Sequence, residues 1–114
     1  MRKIIFLAIC VIALSSCQTQ TSLYSWYGSE DATYTYTKRG SDETLAKAMA
    51  QYEKVLTQQR GARKTVPPGV NAEYGYLLCK AGKKEEGLAL LRAEIQAYPE
   101  SEKFISRIIK QLEK

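Results

Sequence analysis

Apolar side chains recur every three or four residues along most of this chain after residue 41, and each run ends near a glycine or a proline. This spacing places one apolar stripe along a helix, so it predicts amphipathic α-helices that bury their stripes against one another. The last run is the clearest, with Phe104, Ile105, Ile108, Ile109 and Leu112 on one side. We therefore expect an all-α fold, with helices over about 41–60, 70–81, 84–98 and 102–113.

The segment 29–39 carries two conflicting signals. The alternation of threonine and tyrosine over 33–37 has strong β propensity. However, Ser29 is a good helix N-cap, and Gly40 is a good residue to follow a helix. The signals at its two ends favour a short helix, and a strand remains the alternative.

The two helices around Gly82 resemble a tetratricopeptide repeat running from Pro68 to Ser101, which matches the 34-residue period of that motif. In this comparison Gly75 and Gly87 allow two antiparallel helices to approach closely, and Gly82 makes the turn. Two positions depart from the repeat, since Asn71 replaces the usual aromatic residue and Glu94 replaces the usual alanine. The positions that carry the resemblance are Tyr74, Gly75, Leu78, Gly82, Gly87, Leu91 and Pro99.

The first residues have the layout of an export signal. A cationic start, Met1–Lys3, precedes 11 uninterrupted apolar residues from Ile4 to Leu14. A helix of that length covers roughly half of the hydrocarbon core of a bilayer, so the run predicts a signal peptide rather than a permanent span.

The export segment ends in Leu14-Ser15-Ser16-Cys17, which resembles the lipobox of bacterial lipoproteins. The resemblance implies cleavage between Ser16 and Cys17 and acylation of Cys17; an ordinary secretory signal is the alternative. Gln18 follows, and the absence of an aspartate there resembles the outer-membrane default in sorting. We expect a signal peptide over 1–16, a lipidated tether with an aromatic lead-in over 17–28, and a helical-repeat domain over 29–114.

The composition of the chain narrows the classes of function that it can have. The 114 residues include no histidine, which removes the commonest general base and the commonest metal ligand. Loss of residues 1–16 lowers the net charge from +5 to +3, so the charge gives little support for a nucleic-acid partner. We therefore expect a binding module rather than an enzyme, without catalytic residues, metal or cofactor.

A family resemblance follows from several motifs together. The lipobox, the aromatic opening, Val66-Pro67-Pro68-Gly69, Tyr74-Gly75-Tyr76-Leu77 and Tyr98-Pro99-Glu100-Ser101 resemble the small bacterial lipoproteins of the domain of unknown function number 4810, over most of 23–113. The resemblance implies tetratricopeptide-like hairpins closed by a C-terminal capping helix. It also implies partner lipoproteins at the outer membrane, among them one of the curli-secretion-channel type.

The candidate contact residues are mostly aromatic. The possible partner surface consists of Tyr24, Trp26, Tyr27, Tyr76 and Lys80, with Tyr34 and Tyr36 as further members of the aromatic opening. Packing over the first hairpin is the alternative for the opening, because Trp and Tyr serve both purposes. Cys79 fits a small core residue, and a reactive thiol or a disulfide is its alternative.

These observations lead to two hypotheses. The first is a lipid-anchored, periplasm-facing adaptor that holds or helps to assemble partner lipoproteins at the outer membrane. The second is a lipoprotein that binds cell-envelope glycans through its Tyr- and Trp-rich segment.

Overall fold

The computed structural model describes residues 1–6 and 21–114. Residues 21–114 form five α-helices and one short 3₁₀ turn, and the described residues contain no strand, which confirms the all-α class. The helices are α1 Ser29–Arg39, α2 Asp42–Thr57, α3 Val70–Lys80, α4 Lys84–Ala97 and α5 Glu102–Glu113, with the 3₁₀ turn at Pro99–Ser101.

The predicted lipobox, Leu14-Ser15-Ser16-Cys17, lies outside the described residues. Among the helices that the structure does describe, none combines the length and the apolar character that crossing a membrane requires.

The ambiguous segment 29–39 is helical, and its ends explain why. Gly40 adopts a left-handed conformation and donates its N–H to the Tyr36 carbonyl at 2.7 Å, which closes the helix. Acidic residues in the first turn and basic residues in the last turn complement the helix dipole. The expectation that Ser29 caps α1 is wrong, because Gly28 takes the cap position and Ser29 is a buried residue of the helix.

Helix α2 begins as predicted, with the Ser41 hydroxyl accepting a hydrogen bond from the Thr44 N–H at 3.3 Å. It ends at Thr57, three residues before the predicted Arg60. Gly61 does not end the helix as expected. A Cβ at Gly61 would lie 2.3 Å from the Leu23 carbonyl oxygen, so Gly61 permits the close approach of an earlier segment.

Helices α3 and α4 form the tightest pair in the fold. A Cβ at Gly75 would lie 2.6 Å from the Gly87 carbonyl oxygen, and a Cβ at Gly87 would lie 2.4 Å from that of Gly75. The predicted close approach at these two glycines is therefore confirmed. The two backbones are too close together for any larger residue at either position.

Two apolar cores stabilise the domain. The first joins α1, α2 and α3 around Ala48, Tyr52, Val55, Val70 and Leu77. The second joins α4 and α5 around Leu88, Leu91, Ile105 and Ile109. Helix α5 thus covers the apolar face that α4 would otherwise expose. Ser101 stands directly before α5 but donates its hydroxyl to the Tyr98 carbonyl at 2.7 Å, so no side chain caps α5.

Candidate functional site

The aromatic lead-in lies against the loop that follows α2. We call Ser22–Tyr27 the strap and Gln58–Lys64 the loop. Two loop N–H groups, those of Ala62 and Arg63, donate to the carbonyls of Ser22 at 2.9 Å and Leu23 at 3.2 Å. These bonds hold the strap beside the loop.

Gln59 completes this attachment. Its amide donates to the Ser25 carbonyl at 2.8 Å and accepts from the Ser25 N–H at 3.0 Å, so one side chain satisfies both backbone groups of that residue. The Ser25 hydroxyl in turn accepts the Arg60 N–H at 3.2 Å. The strap is therefore attached by side chains as well as by backbone.

The strap aromatics have different surroundings. Tyr24 and Trp26 meet edge to face with ring centres 6.1 Å apart, and Tyr27 donates its hydroxyl to the Gln58 carbonyl at 2.5 Å. Burial raises the pKa of Tyr98, and the neighbouring Tyr24 raises it further. Tyr24 thus also reaches the end of α4.

The other aromatic candidates are divided between core and surface. Tyr36 packs on the first core, whereas Tyr34 is 67% exposed. The structure brings Tyr24, Trp26 and Tyr27 together on the strap; Tyr76 and Lys80 form a separate pair on α3.

Tyr76 and Lys80 lie one turn apart on the surface of α3. The Lys80 ammonium stands 5.4 Å from the centre of the Tyr76 ring, within the range of a cation–π contact, and Tyr76 is 41% exposed. Ala72 and Cys79 of the same helix pack on the second core. Tyr76 and Lys80 therefore belong to the exposed side of α3, and Ala72 and Cys79 to its packed side.

Cys79 is set into the α3–α4 contact. Its sulfur lies 3.7 Å from the Lys84 carbonyl, and a Cβ at Gly87 would come within 2.4 Å of it. Burial raises the pKa of this thiol, with Lys84 opposing and Glu85 adding to the effect. A raised pKa lowers the thiolate fraction, and the thiolate is the nucleophile.

A groove runs between α2 and α3, and sequence reasoning missed it. Its volume is about 640 Å³. Leu45, Met49 and Tyr74 supply apolar surface, and Lys80 and Lys83 line one end. Two alanines, Ala46 and Ala50, lie on the α2 side of the groove. Small residues four apart on an exposed helix face were the available signal, although alanine is also the commonest neutral helix residue.

A polar network fixes the wall of this groove. Tyr52, only 2% exposed, accepts a hydrogen bond from the Thr33 hydroxyl at 2.8 Å and donates one to the Glu73 carboxylate. Its ring stacks on that of Tyr74 with centres 6.3 Å apart. Burial, reinforced by Glu73, raises the pKa of Tyr52 strongly. The hydroxyl therefore stays protonated and joins α1, α2 and α3.

Glu94, one of the two departures from the repeat pattern, is buried. One carboxylate oxygen accepts the Gly69 N–H at 2.6 Å, at the start of α3, and the other has no hydrogen-bond partner among the described residues. Glu94 therefore fixes the turn that leads into α3. Within the described part of the chain, no three His, Cys, Asp or Glu residues are grouped so that they could hold a metal ion.

Successive antiparallel helices, an amphipathic terminal helix and a groove between α2 and α3 define a small all-α helical domain. A family model, described as a domain of unknown function (DUF4810), matches residues 23–108. The chain belongs to this family. The match starts within the strap and extends into α5, so both are part of the family unit. Comparisons with curated proteins and with solved structures find no match.

Proposed function

We propose that this protein is a lipid-anchored, tetratricopeptide-like adaptor that faces the periplasm from the outer membrane and holds partner lipoproteins in the α2–α3 groove. The groove is the observation that carries the proposal. It is open, apolar and polar side chains line it in about equal measure, and the stacking of Tyr74 on the hydrogen-bonded Tyr52 fixes its wall. A preformed site costs less ordering on binding than a flexible one.

The occupant we propose is a short segment of a partner lipoprotein with apolar side chains on one face. Met49 and Tyr74 offer it apolar surface, and the small side chains of Ala46 and Ala50 leave room for its backbone. Asp42, Lys80 and Lys83 line one end of the groove, and the excess of positive charge there disfavours a strongly basic segment.

The lipid anchor raises the effective concentration of the domain and its partners at the membrane. Acylation of Cys17, as the lipobox predicts, confines the domain and its partners to one membrane surface. Confinement raises their effective concentration, so a weak groove contact is sufficient for assembly. No step of this mechanism requires a catalytic group.

Site-specific photocrosslinking tests the proposal. A photoreactive residue at Ala50 in the full chain should crosslink to another lipoprotein in cell membranes, because Ala50 is exposed and lines the groove. The same residue at Gln111, exposed on α5, is the control. Equal crosslinking from both positions, or a product from Gln111 alone, would contradict the groove as the docking surface.

The glycan-binding alternative has less support from the geometry. Tyr27 uses its hydroxyl to bond the loop, and Tyr24 meets Trp26 edge to face and lies near Tyr98. Stacking on sugar rings requires open aromatic faces, and within the strap Trp26 offers the most exposed ring.

A further inference from the structure

One end of the domain combines basic and exposed apolar side chains. The strap and the loop lie side by side there, through the hydrogen bonds of Ala62 and Arg63 to the strap carbonyls. Arg60, Arg63 and Lys64 are all exposed, and residues 21–27 and 58–66 contain no aspartate or glutamate. The strap and the loop therefore contribute a charge of +3, and the nearest acidic side chains along the chain are Glu30 and Asp31 in the first turn of α1.

Two apolar side chains beside these charges remain partly exposed. Leu23 is 57% exposed and Trp26 is 36% exposed, although hydrogen bonds hold the strap backbone on both sides of them. We call Leu23, Trp26, Arg60, Arg63 and Lys64 the basic end. Tryptophan is enriched at the level of lipid headgroups, and clustered lysine and arginine beside a membrane anchor bind anionic lipid.

The position of the anchor restricts where this surface can lie. Cys17 precedes Ser22 by five residues. Five residues span at most about 18 Å even when fully extended. An acyl chain on Cys17 therefore holds the start of the strap within about 18 Å of the bilayer surface, and the basic end is the part of the domain nearest to it.

We propose that the basic end lies on the anionic phospholipid headgroups of the membrane that holds the acyl chains, and so fixes the orientation of the domain. This inference rests on the lipid anchor of the proposed function. The strap contacts the C-terminal end of α2, whereas Asp42, Lys80 and Lys83 line the groove at the other end. A helix of the length of α2 spans about 24 Å, so this orientation directs that end of the groove into the periplasm.

The only tryptophan of the chain, Trp26, reports on this contact directly. The full-length protein is produced in a bacterial host supplied with an alkyne analogue of palmitate, and the labelled form is reconstituted into vesicles. The vesicles contain phosphatidylethanolamine with about 30% phosphatidylglycerol and a lipid brominated near the headgroup end of its acyl chains. We expect quenching of Trp26 fluorescence by at least half, and weaker quenching at high salt because the phosphate contacts are screened.

Charge-reversal variants distinguish a contact made by the basic end from a general attraction between a cationic protein and an anionic membrane. The variant R60E/R63E/K64E should lose most of the quenching while remaining in the vesicles through its lipid. The variant K103E/R107E/K110E reverses three exposed charges on α5 and should retain the quenching of Trp26. Circular dichroism checks that both variants keep the wild-type helix content.

The outcomes separate the two proposals. A chain that incorporates label but shows unquenched Trp26, or equal quenching in both charge variants, overturns the orientation and leaves the anchor intact. A chain that takes up no label and does not fractionate with membranes overturns the anchor and the orientation together.

Discussion

The Tyr52 hydroxyl donates a hydrogen bond to the Glu73 carboxylate across the α2–α3 contact. The same hydroxyl accepts from Thr33 on α1, so one buried oxygen joins three helices. A hydrogen bond to a charged partner in a partly buried position is among the stronger contacts that a small domain can make.

Tyr52→Phe should therefore destabilise the domain by about 2 kcal/mol. The ring remains and keeps its packing, whereas Thr33 and Glu73 lose their common partner. The free energy of unfolding in urea measures the effect. Tyr34→Phe removes the hydroxyl of a tyrosine that is 67% exposed and should leave stability nearly unchanged. Equal stabilities for the two variants would show that the network contributes nothing.

The Tyr52 network and the groove could not be predicted from the sequence, and the reason is physical. Helix α5 and the α3–α4 pair were predictable because their signals are local, such as the apolar stripe of α5 and the glycines Gly75 and Gly87. The Tyr52 contacts join residues 19 and 21 positions apart, which no periodicity encodes.

The predicted end of α2, at Arg60, was wrong for a related reason. Nothing between Thr57 and Arg60 opposes helix locally, but Gln59 bonds Ser25 from 34 residues away, and the chain leaves the helix to make that contact. The strap aromatics were predicted as a candidate partner surface, with packing as the alternative. Their partners could not be inferred, because the predicted helix ran to Arg60 and so included Gln58 and Gln59, which bond the strap from the loop.

The close backbone contact between helices α3 and α4, at Gly75 and Gly87, gives a second prediction. Gly87→Ala places a Cβ 2.4 Å from the Gly75 carbonyl oxygen and from the Cys79 sulfur. The carbonyl cannot move without separating α3 from α4, so we expect a loss of about 3 kcal/mol. Thermal unfolding followed by circular dichroism measures the loss. Gln96→Ala, at an exposed position of the same helix, should change stability by less than about 0.5 kcal/mol. A stability of Gly87→Ala close to that of Gln96→Ala would contradict the geometry.

Glu94 provides a third prediction through its bond to the Gly69 N–H. Glu94→Ala leaves that donor unpaired and opens a cavity, so the expected loss is about 3 kcal/mol. Glu94→Gln keeps an acceptor of the same length, and its amide group replaces an oxygen that has no partner among the described residues. The glutamine variant should therefore be clearly more stable than the alanine variant in urea. The reverse order would show that the acceptor for the Gly69 N–H contributes nothing to stability.

The surroundings of Cys79 predict slow thiol chemistry. Its pKa is raised above the ordinary value, so folding favours the protonated thiol. The stability that this shift contributes is complete below the pKa of the unfolded thiol and is lost as the pH rises through the higher folded pKa. Maleimide labelling at neutral pH, followed by mass spectrometry of the Cys79 peptide, should be at least tenfold slower in the native protein than in urea. An introduced cysteine, Ala46→Cys, lies in the exposed groove and should react at nearly the same rate in both conditions. Native Cys79 reacting as fast as that control would indicate an accessible thiol.

The contact between Gly61 and Leu23 allows the strap to be released without unfolding the helices. Gly61→Ala introduces a Cβ 2.3 Å from the Leu23 carbonyl oxygen and 2.4 Å from the Tyr24 Cα, both of which are backbone atoms. The strap must therefore move away from the loop, whereas the two apolar cores include no residue of the loop. We expect a red shift of Trp26 emission and faster proteolysis within residues 22–27, with helix content unchanged by circular dichroism. Ala62→Ser, which adds one atom at an exposed neighbouring position, should leave both readouts at wild-type values. If Gly61→Ala also matches wild type, the close approach of Gly61 to Leu23 does not hold the strap, and the proposed position of the basic end beside the proposed anchor loses its structural basis.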